Sequence, residues 1–330
     1  MSKLIMAVTD CEHIDYTQER EICEANGIGF VKYDLKDEDE AARVLQEYPV
    51  VGNQYLKMTD SLMDKLPNLK CIVRYGMGVD NVDIAAATRH GIKVCNVPDY
   101  SVQEVAAHAF AMFMALTRKL KVMDRSMARG TWNYELSMPI YRYSEVTVGV
   151  VGFGRIGRTL AKMIHDLGCT VKVCDVMFPA DLSQADREKY GIPEWVELTT
   201  LEDILVTCNA VSLHVPLSKE NGGVIQKPQL EMMRSDAVLI NVSRGGLINE
   251  KDLYEALCNK TIAGAACDTF EKEPTPTDNP LLQLDNFIAT PHMAWYSEQA
   301  SLDLKRKVAE ECIRALKGEA LRYQLNKSVQ

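Results

Sequence analysis

The chain has 330 residues, of which 47% are hydrophobic and 25% charged. This ordinary globular composition excludes extensive disorder, and the length asks for more than one hydrophobic core. Its 46 acidic and 37 basic side chains leave a net charge of −9, which repels phosphate backbones and anionic lipid and argues against nucleic-acid or membrane partners. The ten cysteines are scattered, with no C-x-x-C pair and no Cys/His spacing suited to a metal, so a reducing cytoplasm is expected. The opening apolar run, Leu4 to Val8, is too short for a signal-peptide core.

From the start to about Val97, short apolar runs alternate with amphipathic stretches. Strands are expected at 4–8, 28–33, 50–53, 71–75 and 93–97, with helices between them such as Thr17–Ala25. A long Ala-, Met- and Phe-rich helix over Gln103–Lys121 follows, then a polar segment holding Gly130, Trp132 and Tyr134. A second strand-helix series opens at 147–151 and continues with strands at 171–175, 210–215, 237–242, 262–268 and 286–290. The last helix, Ser297–Leu316, is too short to be a domain and is expected to return to the first one. Strand-helix alternation of this kind gives parallel sheets covered on both faces. The expected architecture is therefore α/β, with two doubly wound parallel sheets. A Rossmann domain over 99–295 is inserted in a flavodoxin-like substrate domain made of 1–98 and 296–330.

Directly after the strand at 147–151, Gly152, Gly154 and Gly157 stand in G-x-G-x-x-G spacing. Such glycines allow a tight turn, close approach of backbone to a pyrophosphate, and close packing of helix on strand. Arg155 and Ile156 open the helix, whose unpaired N–H groups and dipole favour phosphate. A glycine-rich turn alone is common, but the next strand ends in Asp175, 18 residues beyond Gly157. A carboxylate there binds the ribose 2′-hydroxyl of NAD and repels the 2′-phosphate of NADP, so NAD is the expected cofactor.

Three later segments supply groups suited to hydride transfer at a keto acid: a cation for the carboxylate, a proton donor near neutrality, and a partner to orient that donor. Arg244 in NVSRGGLIN, Glu273 in CDTFEKEP and His292 in TPHMAW each follow a strand of the second series. They therefore fall at the carboxyl edge of one sheet, where such sheets bind ligands. Each has a plainer reading in isolation: a loop-capping Arg, a solvated acid with Glu271 as competitor, a structural His. His214 precedes Val215 and Pro216 and suits a wall around the cofactor, His108 reads as structural within the long helix, and His13, His90 and His165 read as surface or packing residues.

The motifs RYGMGVDNVD (74–83), VGFGRIGR (151–158), NVSRGGLIN (241–249), CDTFEKEP (267–274) and TPHMAWYSEQAS (290–301) together resemble the NAD-dependent D-2-hydroxyacid dehydrogenases over nearly the full chain. The last of them, with Trp295, is similar to the C-terminal binding protein branch, and the chain also resembles the phosphoglycerate dehydrogenase-like members. The resemblance implies a catalytic set of Arg244, Glu273 and His292 acting in a cleft between the two domains. It also implies that backbone N–H groups at Met77 and Gly78 meet the substrate carboxylate with Arg74 nearby, and that Val242, Ser243 and Asp268 line the nicotinamide side. Family members are generally homodimers built through the segment that is 100–145 here. Many relatives carry Thr soon after the Pro-Leu pair; here Ser218 or Asn221 would have to substitute.

The expected reaction is reversible reduction of a 2-keto acid to a D-2-hydroxy acid with NADH. The rival reading is an NAD(H)-sensing, corepressor-like interaction protein of the C-terminal binding protein type, which fold alone does not exclude. An adenosyl-type hydrolase on a similar two-domain plan suits the Arg/Glu/His set less well. Residues 1–98 carry 11 Lys/Arg against 16 Asp/Glu, which weighs mildly against a phosphorylated substrate. Trp295, three residues past His292, could wall the substrate side chain or simply pack; the first role favours apolar or thioether keto acids over pyruvate and glyoxylate.

Overall fold

The computed structural model describes residues 4–11, 15–217 and 222–329; His13, Ser218 and Asn221 lie outside them. The chain forms two compact units, residues 1–101 with 297–330, and residues 102–296. Among the described residues no helix is long and apolar enough to cross a membrane.

In the first unit, β1 (Ile5–Val8), β2 (Gly29–Lys32), β3 (Val50–Asn53), β4 (Cys71–Arg74) and β5 (Lys93–Cys95) form one sheet in the order β2-β1-β3-β4-β5. All its ladders are parallel, and the order is that of flavodoxin-like sheets. Side chains alternate across a strand. Met6, Val8, Val50, Cys71 and Val73 therefore pack in one apolar cluster, and Ala7, Val51 and Ile72 in another. The helices α1 (Thr17–Ala25), α2 (Glu38–Val44), α3 (Asp60–Asp64) and α4 (Ile84–Arg89) intervene. The last helix, Glu298–Lys317, starts at a Ser297 cap whose hydroxyl accepts from the Ala300 N–H and ends at Gly318 with φ of 70°. Its Leu304, Val308 and Cys312 join the first of those clusters.

The second unit carries β6 (Thr147–Val151), β7 (Thr170–Cys174), β8 (Val196–Leu198), β9 (Ala210–Leu213), β10 (Val238–Asn241), β11 (Gly264–Cys267) and β12 (Phe287–Ala289). They order as β12-β11-β10-β9-β6-β7-β8, again all parallel. The chain reverses direction across the sheet between β6 and β9, and such a switch point opens a crevice at the carboxyl ends of the strands. The helices are α5 (Val102–Thr117), α6 (Leu120–Ala128), α7 (Arg155–Asp166), α8 (Gln184–Lys189), α9 (Leu201–Thr207), α10 (Lys227–Met232) and α11 (Glu250–Cys258).

Two features depart from the sequence reading. The single helix expected over Gln103–Lys121 is two, α5 and α6, because Lys119 turns left-handed with φ of 55°. No Gly or Pro marks that break; at the end of α5 the Thr117 hydroxyl donates back to the Phe113 carbonyl at 2.8 Å. Strand β8 was not expected, since only Val196 and Leu198 of its three residues are buried, too short an alternation to read.

Candidate active site

The turn from β6 into α7 is built for close approach. A Cβ on Gly152 would lie 2.5 Å from the His214 carbonyl oxygen, and one on Gly157 would lie 2.0 Å from the Gly152 oxygen. Only glycine lets these backbones meet. The 12-residue helix α7 begins at Arg155, and Arg158 is the first residue whose N–H reaches a helical acceptor, the Gly154 carbonyl at 3.0 Å. The N–H groups at Arg155, Ile156 and Gly157 therefore precede the first helical acceptor, the arrangement that suits a pyrophosphate.

Asp175, just past β7, reaches back to this turn. One carboxylate oxygen accepts from the Phe153 N–H at 2.6 Å and the other from the Met177 N–H at 2.8 Å. Arg158 stacks over Phe153 and Phe178, 4.4 and 5.2 Å from the ring centres. Burial draws its guanidinium below the usual value, and Asp175 partly offsets this. Val176 is 99% exposed beside Asp175, an apolar surface next to the carboxylate.

Arg244, Glu273 and His292 come together within the second unit. His292 Nδ1 lies 2.7 Å from Glu273 Oε2, with both side chains about half exposed. The other oxygen, Oε1, accepts from the Phe270 N–H at 2.9 Å. Burial alone would raise the Glu273 carboxyl; the hydrogen bond and charge of His292, the Phe270 N–H and the Arg244 charge outweigh it and hold the group below the ordinary carboxylate range. Close packing of two loops carries Arg244 to this place. A Cβ on Gly245 would lie 1.9 Å from the Phe270 carbonyl carbon and 2.4 Å from the Glu271 nitrogen, so the segment after β10 touches the backbone of the segment after β11. The Arg244 guanidinium also donates to the Ser243 carbonyl at 2.8 Å.

Glu271 does not compete for His292. It and Glu250 bind reciprocally, each carboxylate accepting from the other's N–H, at 2.9 and 2.6 Å. Asp268, expected beside the nicotinamide, turns its buried carboxylate into the segment that carries His292. It accepts from the Met293 and Ala294 N–H groups, both at 2.9 Å, and from the Thr290 hydroxyl at 2.5 Å. The His292 N–H donates to the Asp268 carbonyl at 2.8 Å, and His292 itself is left-handed with φ of 52°. Sequence reading missed this clamp. The Asp sits one residue past a buried strand, and nothing in its spacing to Thr290 distinguishes it from a ligand contact.

The remaining expected cofactor residues cluster at the ends of β9 and β10. His214 Nε2 lies 2.8 Å from the Ser212 hydroxyl, while its Nδ1 is sealed from solvent without a hydrogen-bond partner. The residue keeps some exposure, but enclosure of the ring pushes the imidazole down to about 4. Val215 lies against Gly152, Pro216 is exposed, Val242 is buried, and the Ser243 hydroxyl donates to the Leu213 carbonyl at 2.9 Å. In the first unit, Arg74 ends β4 and its guanidinium donates to the Tyr75 carbonyl. Met77 and Gly78 follow in the loop, where Asn96 Nδ2 donates to the Met77 carbonyl at 2.7 Å. Trp295 is partly buried, packs on the apolar cluster beneath α5 and α7, and meets Tyr296 edge-on with ring centres 5.5 Å apart.

Comparison with known proteins decides the family. The model for "D-isomer specific 2-hydroxyacid dehydrogenase, NAD binding domain" matches residues 110–294. The chain belongs to this family. A glyoxylate reductase of Korarchaeum cryptofilum is 36% identical over 78% of this chain and 76% of its own. A D-3-phosphoglycerate dehydrogenase of Archaeoglobus fulgidus is 35% identical over 99% of this chain but 59% of its own length. The chain spans only about half the length of curated phosphoglycerate dehydrogenases that it matches, 48% to 59% in three of them. Among solved structures, a D-lactate dehydrogenase of Aquifex aeolicus complexed with NAD and lactic acid is 26% identical with a TM-score of 0.82, covering 95% of this chain and 96% of its own. The matched residues fall within the second unit, which is thus an NAD-binding domain.

Proposed function

We propose that the protein reduces a 2-keto acid to a D-2-hydroxy acid, reversibly, with NADH preferred to NADPH. The Glu273–His292 pair at 2.7 Å, with the Arg244 charge beside it at the carboxyl edge of the dinucleotide-binding sheet, carries this reading. The bound cofactor supplies the hydride. Arg244 holds the substrate carboxylate and polarises the keto group, its planar guanidinium matching the carboxylate in two-pronged fashion. Glu273 holds Nδ1 of the imidazole, so Nε2 is the atom that gives its proton to the oxygen as C2 becomes tetrahedral. The proton that leaves Nε2 must be present before transfer, while the Glu273 carboxylate keeps Nδ1 engaged. From the family resemblance, the N–H groups of Met77 and Gly78, with Arg74, add to carboxylate binding.

Dehydrogenase and reductase names among the relatives favour an enzyme over a corepressor-like protein. The substrate side chain is proposed to be apolar or a thioether, set against Trp295, because the excess of acids in residues 1–98 suits a phosphate poorly. The ten cysteines are free, in keeping with a cytoplasmic setting. A homodimer through 100–145 accounts for exposed Trp132, Tyr134 and Met138, at 87%, 72% and 63%; sedimentation of Trp132→Ser as a monomer would bear this out, and an unchanged mass would oppose it. The central test is a panel of 2-keto acids with NADH, followed at the nicotinamide absorbance. Lack of turnover across pyruvate, glyoxylate, branched and thioether keto acids overturns the proposal.

A further inference from the structure

Behind the Asp268 clamp lies a second layer that the proposed reaction does not use. His108, on α5, places Nε2 3.0 Å from the Thr290 hydroxyl and 3.8 Å from the Asp268 carboxylate. The Thr290 hydroxyl has one proton and gives it to Asp268 at 2.5 Å. Its lone pair therefore faces His108, and His108 must carry hydrogen on Nε2. The bonds run in one direction, from His108 to Thr290 to Asp268, whose carboxylate then accepts from Met293 and Ala294. Chains aligned in this way strengthen one another in a low-dielectric interior. The carboxylate at their centre is only 1% exposed, so losing one donor leaves part of a buried charge without a partner.

We infer that His108 and Thr290 are positioning residues for His292. They fix Asp268, Asp268 fixes the N–H groups of Met293 and Ala294, and those fix the left-handed turn that aims the imidazole at Glu273. This arrangement joins α5 to the segment following β12 across 182 residues of sequence. A left-handed non-glycine residue is strained and persists only where its neighbours hold it. The inference rests, in its kinetic half, on the proposed keto-acid reduction.

The test uses Thr290→Val and His108→Leu, which remove the hydroxyl and the N–H, beside Thr290→Ser and His108→Gln, which keep a donor. Amide hydrogen exchange at Met293 and Ala294 is read first, in the full chain with no substrate present. The first two variants should exchange at least about tenfold faster there, while the second two stay near native. With a turned-over keto acid, kcat should fall roughly 10- to 100-fold in the first pair, with KM and NAD affinity held, because the donor is misplaced and not lost. Native exchange at Met293 and Ala294 in both Thr290→Val and His108→Leu overturns the inference. So does a loss shared equally by Thr290→Ser, which would make the site one of packing alone. Should Thr290→Val not fold, the part-exposed His108 gives the same reading through its own pair. If the native chain reduces no keto acid, the proposed reaction falls, and the exchange comparison still decides this inference.

Discussion

His292 Nδ1 and Glu273 Oε2 lie 2.7 Å apart, which commits one nitrogen of the imidazole to orientation and leaves the other for proton transfer. Arg244→Lys, Glu273→Gln and His292→Asn should each lower kcat while NAD binding persists, the loss of the donor costing about 10²- to 10⁴-fold. Lysine keeps the charge of Arg244 but not its planar fork, so it should not rescue. Steady-state kinetics with cofactor titration by fluorescence checks this; native turnover in His292→Asn would move the donor elsewhere.

The same pair sets a pH dependence. Burial would raise the Glu273 carboxyl, but His292, the Phe270 N–H and the Arg244 charge hold it below the ordinary carboxylate range. Stability from this carboxylate is therefore fully present above that ordinary range and is lost as pH falls through the lowered value. Urea unfolding across acid pH should show a shallower decline in Glu273→Gln than in the native chain. Parallel curves would mean that these partners do not hold the carboxylate.

His214 gives a test of stability. Its folded value, about 4, lies below the 6.5 of an ordinary imidazole because it is buried. Between those values the unfolded chain binds more protons than the folded one. Stability from this group is fully present above about 6.5 and declines as pH falls toward 4, by at most about 3 kcal/mol. Urea unfolding across this window should show a shallower decline in His214→Leu than in the native chain; parallel curves would count against it.

Cofactor choice should follow Asp175. Native kcat/KM should favour NADH over NADPH by about tenfold or more. Asp175→Ser should shift the ratio toward NADPH and lower efficiency with both, since the Phe153 and Met177 N–H groups lose their acceptor. A native enzyme indifferent to the 2′-phosphate would contradict the assignment.

Trp295 separates two roles. Because it packs on the apolar cluster, Trp295→Ala should cost about 2–3 kcal/mol, below the range for a fully buried indole. If the indole also walls the substrate, native kcat/KM should rise with side-chain length, by about tenfold or so per well-buried methylene, and the variant should lose that gradient. A flat native series leaves Trp295 a packing residue.

Much of this fold is legible in the chain because β-branched runs and glycine turns act locally. VVGN marks β3 to the residue, and TQEREICEA marks α1. What was not legible depends on distant partners. The end of α5 is set by Lys119 turning left-handed, with no glycine to announce it. The candidate set was readable as three residues at strand ends, with Glu273 implied by the resemblance; what was not readable is the pair of reciprocal bonds that ties Glu271 to Glu250. Asp268 was noticed for its position, but the partners of its carboxylate were not legible, because only folding brings Thr290, Met293 and Ala294 around it.

The left-handed backbone of His292 bears on how the site can be dissected by substitution. Alanine there would remove the ring and at the same time favour a different backbone, dragging Met293 and Ala294 with it, so its phenotype would mix lost chemistry with a displaced loop. Asparagine tolerates the left-handed region better than most residues, and it keeps the segment's path while abolishing the acid. Glycine frees the path altogether. The three replacements at this one position thus divide what the imidazole contributes as a reagent from what residue 292 contributes as a bend in the chain.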